Sequence, residues 1–569
     1  MMLNRDVFQD DPTQTKIPND GVAKVLDPRT PEEWEVLQYE LKSFVCEGEY
    51  RRGLEQILST YLTNLSRADQ PAVWVSGFYG SGKSHLVRVL EYLWRDIAFP
   101  DGARARGLAT LPSEIDTLLK ELSTAARREG GLWSAAGTLG AGAGNSVRLA
   151  LLAILLRSAG LPEQYAPARF VIWLQQRGYY DTVRAAVEAK GESLDQELNN
   201  MYVSPILAGA LLEAYPDFAA DAREARSLIK TQFPPESDIS DDELLRMMED
   251  VLALRSTTPK KLPLTLLIFD ELQQFIGEDS TRTLQVQNVV EACTSRFGSR
   301  LLFIATGQAA LQATPQLSKL QGRFTVPVML SDKDVEQVVR EVVLRKKPSA
   351  APELKSVLDA VSGEIDRHLA GTKIGASMAD APDLAPDYPL LPVRRRFWER
   401  VLRAVDSAGT AGQLRTQLKI VHDAAATVAS CTLGTVVPAD VIFGQLKPYM
   451  LQTSVLLRDT DTTIQEQDDG TPDGRLRSRI CATIFLIGKL PLDGVNITGI
   501  RATADTLADL LVEDLTVGSA DLRRRIPRAL ARARRPGRAH AGGRRVPLAD
   551  ARGRRVGGRL PWPRRPHNG

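Results

Sequence analysis

The stretch that decides the fold is PAVWVSGFYGSGKSHLVRVLEYLW, residues 71–94 of a chain of 569 residues. Residues 77–84 match the pattern GxxxxGK[ST] in full, and such a match is expected by chance about 0.02 times in a chain of this length. A short apolar strand, Ala72 to Ser76, precedes the glycines, and an amphipathic helix begins near Lys83. Because backbone amides and a helix N-terminus converge at such a junction, we interpret it as a phosphate-binding loop.

The residues of this loop have different predicted roles. Its glycines let the backbone wrap phosphates without side-chain clashes. Lys83 is predicted to reach the β- and γ-phosphate oxygens, and the Ser84 hydroxyl to bind Mg²⁺. A glycine turn that binds nothing is the alternative. The residues predicted to contact the nucleotide are Gly77, Phe78, Tyr79, Gly80, Ser81, Gly82, Lys83, Ser84 and His85.

A second apolar strand, LPLTLLIFDE at 262–271, ends in two acids. An acid that directly follows a buried strand lies at the carboxyl edge of the sheet, beside the loop. We therefore predict that Asp270 holds the Mg²⁺ shell and that Glu271 polarises the attacking water as general base. The adjacent pair, in a sequence without NKxD or LSGGQ motifs, favours ATP hydrolysis in the additional-strand class. The alternative is a solvated acidic pair at a strand end.

A third strand, 300–306, ends in polar residues, and a fourth is predicted at 325–330. In the additional-strand class the third strand lies between the loop strand and the Asp-Glu strand, so its terminal side chain can touch the γ-phosphate. Gln308 is the preferred sensor and Thr306 the alternative. An ordinary strand-to-helix cap is the competing interpretation.

Two arginines are candidates for neutralising the charge that develops on the γ-phosphoryl oxygens. Arg323, just before the fourth strand, occupies the place where AAA+ ATPases usually keep a finger that enters a neighbouring subunit. Arg415, within a predicted helical lid, is a candidate second sensor. Each could instead be a surface arginine.

Strands that alternate with helices predict an α/β fold with a parallel sheet flanked on both faces. Lys83 and Asp270 are 187 residues apart, which predicts a mainly helical insertion around 100–255. The predicted segments are a helical lead-in at 1–65, an ATPase core at 66–331, a helical lid at 332–450, a helical region at 451–527 that is a candidate start of a winged-helix domain, and a disordered tail at 528–569.

Composition excludes several classes of protein. The longest apolar run, Leu149 to Leu156, is too short to cross a bilayer, and the N-terminus lacks the apolar stretch of a signal peptide, so we expect a cytosolic protein. Four scattered cysteines and five histidines argue against a disulfide framework or a zinc site.

Charge is distributed very unevenly along the chain. Residues 522–569 contain sixteen arginines and one acid, a net charge of +15, and the whole-chain charge of +2 leaves −13 for residues 1–521. From about Arg528 the composition is that of GC-rich codons read out of frame, so we interpret the tail as a frameshift product. A nucleic-acid-binding arm is the alternative.

With GFYGSGKSHL, the DEL strand end, YPLLP and GQLRTQLKIVHDAA, the chain resembles the BrxC and PglY family of P-loop ATPases from BREX phage-defence systems, which are distantly similar to origin-recognition-type AAA+ ATPases. The resemblance covers residues 3 to 527, and its members are about twice as long, so we expect an N-terminal portion. It implies as partners a methyltransferase and a phosphatase-like protein, in a complex that acts against phage DNA. A homo-oligomer is a further candidate assembly, and the short apolar runs lead us to expect no membrane contact.

Three functional hypotheses follow. The first is a Mg²⁺-dependent ATPase that remodels or assembles a defence complex on DNA. The second is a scaffold that is switched by ATP binding with little turnover. The third is an inactive truncated remnant.

Overall fold

The computed structural model describes residues 2–15, 27–77, 81–139, 146–405, 414–491 and 498–533, and of residues 332–334, 414 and 415 it describes the backbone. The chain divides into two compact units. The sheet unit comprises Ala23–Val335, and the helical unit comprises Met1–Val22 together with Glu336–Gly569. The N-terminal segment and the C-terminal half thus belong to one unit, although the sheet unit separates them in sequence.

A parallel sheet forms the centre of the sheet unit. Its order, β2-β3-β4-β1-β5, is parallel at every pairing. The predicted α/β class with a parallel sheet is therefore confirmed, and so is the predicted place of the third strand, because β4 lies between β1 and β3. The strands in the described residues are β1 Val73–Gly77, β2 Leu132–Thr138, β3 Leu264–Asp270, β4 Leu301–Gly307 and β5 Val326–Leu330.

Helices surround this sheet and build the second unit. Within the described residues, none is both long and apolar enough to cross a membrane. Before β5 the α-helices are α1 Asn4–Val7, α2 Pro31–Lys42, α3 Gly48–Asn64, α4 Lys83–Arg95, α5 Ala105–Leu108, α6 Ser113–Ala126, α7 Val147–Ser158, α8 Tyr165–Arg177, α9 Tyr180–Glu188, α10 Leu194–Asn199, α11 Pro205–Ala214, α12 Ala222–Gln232, α13 Asp241–Arg255, α14 Leu272–Ile276, α15 Ser280–Phe297 and α16 Pro315–Ser318. After β5 they are α17 Asp332–Val342, α18 Ala351–Ala360, α19 Ser362–Ile365, α20 Leu384–Asp387, α21 Pro392–Val405, α22 Leu414–Val428, α23 Val441–Gln452, α24 Arg458–Gln465, α25 Pro472–Lys489, α26 Ala504–Leu511 and α27 Ala520–Ala533.

The burial of each strand follows its position in the sheet. Every residue of β3 and β4 is buried, as expected for central parallel strands covered by helices on both faces. In β5 buried and exposed residues alternate, and Pro327 and Met329 are exposed. A proline cannot donate to a ladder of hydrogen bonds, and Pro327 is accommodated because β5 is an edge strand.

The strand β2 was not predicted, because its region was interpreted as part of a mainly helical insertion. Its sequence, LWSAAGT, is poor in the β-branched residues that signal strands. The small residues are needed because α7 packs closely on the strand: a Cβ at Gly137 would lie 2.8 Å from Ile154 Cγ1 and 2.6 Å from Arg157 Nη2. The region 100–255 therefore supplies an integral strand as well as helices α5 to α13.

The described residues of the helical unit contain α-helices and no strand. Strands were predicted to become rare after Ser331, and the structure agrees. A winged helix also needs strands for its wing, and the described parts of residues 451–533 contain the end of α23 and helices α24 to α27 but no strand. These residues therefore show a helical packing arrangement.

The helix α27 extends beyond the predicted start of the disordered tail at residue 528. It ends at Ala533, and Ile526, Ala529 and Leu530 are buried. These apolar residues recur at helical spacing, so they continue one buried face through the predicted boundary. Residues 534–569 lie outside the described residues.

The N-terminal segment belongs to the helical unit and is not part of a continuous lead-in at 1–65. Its backbone bonds to two separate segments: Asn4 N donates to Cys431 O at 2.9 Å, and Lys347 N donates to Val7 O at 2.9 Å. The Asn4 side chain is buried, and its Nδ2 donates to Val428 O at 3.0 Å and to Thr435 O at 2.8 Å. Asn4 is therefore a polar anchor within this unit.

Replacing Asn4 by Ala should lower the free energy of unfolding of the helical unit by about 2 kcal/mol, because buried carbonyls lose their donor. Chemical denaturation followed by circular dichroism measures this change. Gln14→Ala is the control, since Gln14 is exposed on the same segment. Equal stabilities for the two variants would contradict the anchoring role.

Candidate functional site

The candidate site begins where β1 ends. Gly77 is the last residue of β1, and Gly82, with φ 82° and ψ 17°, caps α4 in the left-handed region that favours glycine. A Cβ at Gly77 would lie 2.5 Å from Ser81 Oγ and 3.0 Å from Leu330 O, so this position is also closed to larger residues. The predicted loop residues Phe78, Tyr79 and Gly80 lie outside the described residues.

Lys83 is the first residue of α4, and its side chain reaches back to the end of β1. Its Nζ donates to Gly77 O at 2.9 Å. Burial lowers the pKa of Lys83 to about 8, and the carboxylates of Asp270 and Glu271 oppose this shift. The ammonium therefore shares an electrostatic environment with the acids that were predicted to face it.

Asp270 and Glu271 occupy the carboxyl end of β3, and a hydroxyl from the next strand joins them. Thr306 Oγ1 donates to Asp270 Oδ1 at 2.6 Å and accepts from Glu271 N at 2.8 Å. Asp270 is buried, so it is not the solvated acid of the alternative interpretation. One of the two carboxylate oxygens of Asp270 therefore already accepts a hydrogen bond from Thr306.

Glu271 adopts a backbone conformation that is uncommon for a residue other than glycine. Its φ is 60° and its ψ is 27°, and it precedes α14. The bond from its N–H to Thr306 helps to hold this conformation. Burial raises the pKa of the Glu271 carboxyl, the neighbouring Asp270 raises it further, and Lys83 lowers it. A carboxyl with a raised pKa is a stronger base when ionised.

Of the two sensor candidates, Thr306 contacts the acidic pair. Gln308 follows the end of β4 and is exposed, and its main-chain N–H donates to Gln273 Oε1 at 2.6 Å. The same oxygen accepts from Ala309 N at 2.9 Å. Gln273 was not among the predicted site residues. Its side chain joins the segment that follows β4 to α14, which follows β3.

Of the two candidate arginines, Arg323 lies away from this group. Arg323 O accepts from Ala72 N at 3.0 Å, at the amino end of β1, and the five residues of β1 span about 17 Å. The Arg323 side chain pairs with Glu291 at 2.7 Å. Arg415 belongs to α22 of the helical unit, and its side chain lies outside the described residues.

Ser84 and His85 lie in the first turn of α4. The ring of His85 is 5.7 Å from that of Phe44, centroid to centroid. Burial lowers the pKa of His85 to about 4, so its imidazole is neutral at pH 7. His85 therefore adds no charge to the site, whereas Ser84 adds a hydroxyl next to Lys83.

Contacts from α2 and α3 support the loop, and no sequence motif indicated them. Tyr50 Oη donates to Ser81 O at 2.8 Å, and the buried pair Arg88 and Glu40 joins α4 to α2 with an Nε to Oε2 distance of 3.0 Å. These residues occupy polar positions of their helices, and the sequence indicates those helices only through the spacing of their apolar residues. Their partners lie 31 and 48 positions away in the chain, so pairing required the folded structure.

The site residues fit a bound polyanion with a hard cation. Ser81 Oγ is buried without a hydrogen-bond partner among the described residues, and the glycine at 77 leaves no room for a side chain. The described residues contain no group of three or more His, Cys, Asp or Glu side chains suited to a metal ion. A cation beside Ser84 and Asp270 would therefore need oxygen ligands from a bound molecule or water, as Mg²⁺ commonly has.

Lys83 should titrate near pH 8 in the nucleotide-free protein, and Glu271→Gln should lower its pKa further, because the carboxylate favours the charged ammonium. The rate of acylation of Lys83, followed by peptide mass spectrometry across pH 6 to 11, measures this pKa. Glu278→Gln is the control, since Glu278 is exposed on the segment after α14. An unchanged or raised Lys83 pKa in Glu271→Gln would contradict the described proximity.

The chain was compared with models of known protein families, and no family model matches it. Evidence on its function therefore comes from the chemistry of this sheet edge. That edge combines a partly buried lysine, two left-handed backbone positions and an acid pair bonded to a threonine.

Proposed function

We propose that the protein binds Mg-ATP at the carboxyl edge of the sheet and hydrolyses it. The observation that carries this proposal is the proximity of Lys83 to Asp270 and Glu271, which are 187 residues apart in the chain. The position of β4 between β1 and β3 supports the additional-strand class of P-loop NTPases. The long, mainly helical segment between β2 and β3 is a departure from compact AAA+ cores, and in this class it would be an insertion into the core.

In this proposal each side chain has one task. Lys83 binds phosphate oxygens, and the amides that follow Gly77 cradle the phosphates. Ser84 and Asp270 would hold Mg²⁺, which neutralises charge on the phosphate oxygens when bound. Thr306 keeps Asp270 oriented, since its hydroxyl donates to one carboxylate oxygen.

Glu271 takes the proton of the attacking water. Burial and the neighbouring Asp270 raise the pKa of its carboxyl, and both effects increase its basicity. Lys83 offsets part of this shift. The kcat/KM for Mg-ATP should therefore rise with pH through the pKa of Glu271 and fall again near pH 8, as Lys83 loses its proton.

The cellular role is proposed from the resemblance to BREX phage-defence ATPases. The loop, the acid pair and the YPLLP and GQLRTQL segments support it. In that setting ATP hydrolysis would assemble or remodel a defence complex on DNA. Arg323 lies at the opposite end of β1 from the loop, so its use as a finger would require a second copy of the chain.

Glu271→Gln should bind Mg-ATP and hydrolyse it about 10² to 10⁴ times more slowly, because the general base is lost. Release of inorganic phosphate under saturating ATP measures this rate, and Glu278→Gln is the control. Turnover that is equal in both variants would contradict the assigned base. If complex assembly survives in Glu271→Gln, ATP binding alone is the signal and the chain acts as a switched scaffold.

Lys83→Ala should weaken Mg-ATP binding at least about tenfold, since a charge-assisted contact to phosphate is removed. Isothermal titration calorimetry measures the dissociation constant. Lys120→Ala is the matched control, because Lys120 is exposed and pairs with Asp116 on α6. Unaltered ATP affinity in Lys83→Ala would exclude the proposed phosphate contact.

A further inference from the structure

We propose that Tyr50 is a positioning residue that orients the last peptide of the phosphate loop, an inference that rests on the proposed function. Tyr50 lies on α3 and is buried, and its Oη donates to Ser81 O at 2.8 Å. Its ring packs edge-on against Phe44, with centroids 6.0 Å apart. A rigid aromatic side chain therefore holds the Ser81 carbonyl of the loop by a hydrogen bond.

The hydrogen bond to this carbonyl also sets the direction of the N–H group of Gly82. The peptide between Ser81 and Gly82 is trans, so its C=O and N–H point in opposite directions in one plane. With Ser81 O turned towards Tyr50, the N–H of Gly82 points away from Tyr50. Gly82 directly precedes Lys83, so this N–H is among the amides at the start of α4.

Such control is needed because glycine resists a peptide flip only weakly. Gly82 is in the left-handed region and has no Cβ to restrict alternative conformations. A flipped peptide would present the Ser81 carbonyl oxygen, a partial negative charge, where phosphate oxygens must bind. The Tyr50 hydroxyl opposes that flip, since a buried carbonyl that lost its donor would be unsatisfied.

Tyr61 provides an internal comparison on the same helix. It is also buried, and its Oη donates to a main-chain carbonyl, that of Arg300, at 3.1 Å. Arg300 directly precedes β4, at the amino edge of the sheet, whereas the loop follows the carboxyl edge. Each hydroxyl thus donates a hydrogen bond from α3 to a main-chain carbonyl, and that of Tyr50 goes to the loop.

The test compares Tyr50→Phe and Tyr61→Phe in the full chain, with Mg-ATP as the probe. We expect Tyr50→Phe to raise the dissociation constant of Mg-ATP roughly tenfold, and Tyr61→Phe to leave it within about twofold of the wild type. Thermal unfolding without nucleotide should shift similarly in both variants. In turnover assays Tyr50→Phe should raise KM more than it lowers kcat, because the loop binds phosphate in both the ground state and the transition state.

Equal affinities for Mg-ATP in the two variants would overturn the positioning role. Weaker Mg-ATP binding in Tyr50→Leu but not in Tyr50→Phe would also overturn it, because packing of the ring, without the hydroxyl, would then be enough to hold the loop. A wild-type chain that does not bind Mg-ATP would overturn the proposed function and this inference with it. Hydrogen exchange of the wild type gives a measurement that does not depend on folding of a variant. Mg-ATP should protect the Gly82 amide, and unchanged exchange there would contradict the proposal.

Discussion

The proposed site depends on a lysine ammonium placed beside two carboxylates at one edge of a parallel sheet. Parallel strands all end at the same edge, so β1 and β3 deliver Lys83, Asp270 and Glu271 to one place. Burial works against the charge on Lys83 and lowers its pKa to about 8, and the acids restore part of it. This balance suits the proposed role of Lys83 in binding phosphate oxygens.

The backbone around these charges is held by bonds from distant elements. Thr306 on β4 fixes the left-handed Glu271, and Tyr50 on α3 fixes Ser81 beside the left-handed Gly82. Gln273, in α14 after β3, accepts hydrogen bonds from the main-chain N–H groups of Gln308 and Ala309, which follow β4. Unusual backbone conformations persist where the surroundings determine them fully, and both of them lie next to residues with proposed chemistry.

Much of this edge could be predicted from local sequence. The loop between Gly77 and Ser84 and the apolar run before Asp270 each carry a compact signal, and the order of β1, β4 and β3 followed from the class that they suggested. The strand β2 could not be predicted in this way, because its small residues are required by the close packing of α7 and do not follow strand propensity. Long-range contacts such as that of Tyr50 with Ser81 leave no periodic trace in a single sequence.

The division of the chain was also hidden, since nothing in the composition of residues 2–15 indicates that they belong to the C-terminal unit. Their anchor, Asn4, bonds to carbonyls more than 400 residues away. A crystal structure with Mg²⁺ and a non-hydrolysable ATP analogue tests the proposed site most directly. Phosphate oxygens should lie within hydrogen-bond distance of Lys83 Nζ, with the cation beside Asp270. A triphosphate bound elsewhere, with this sheet edge empty, would contradict it.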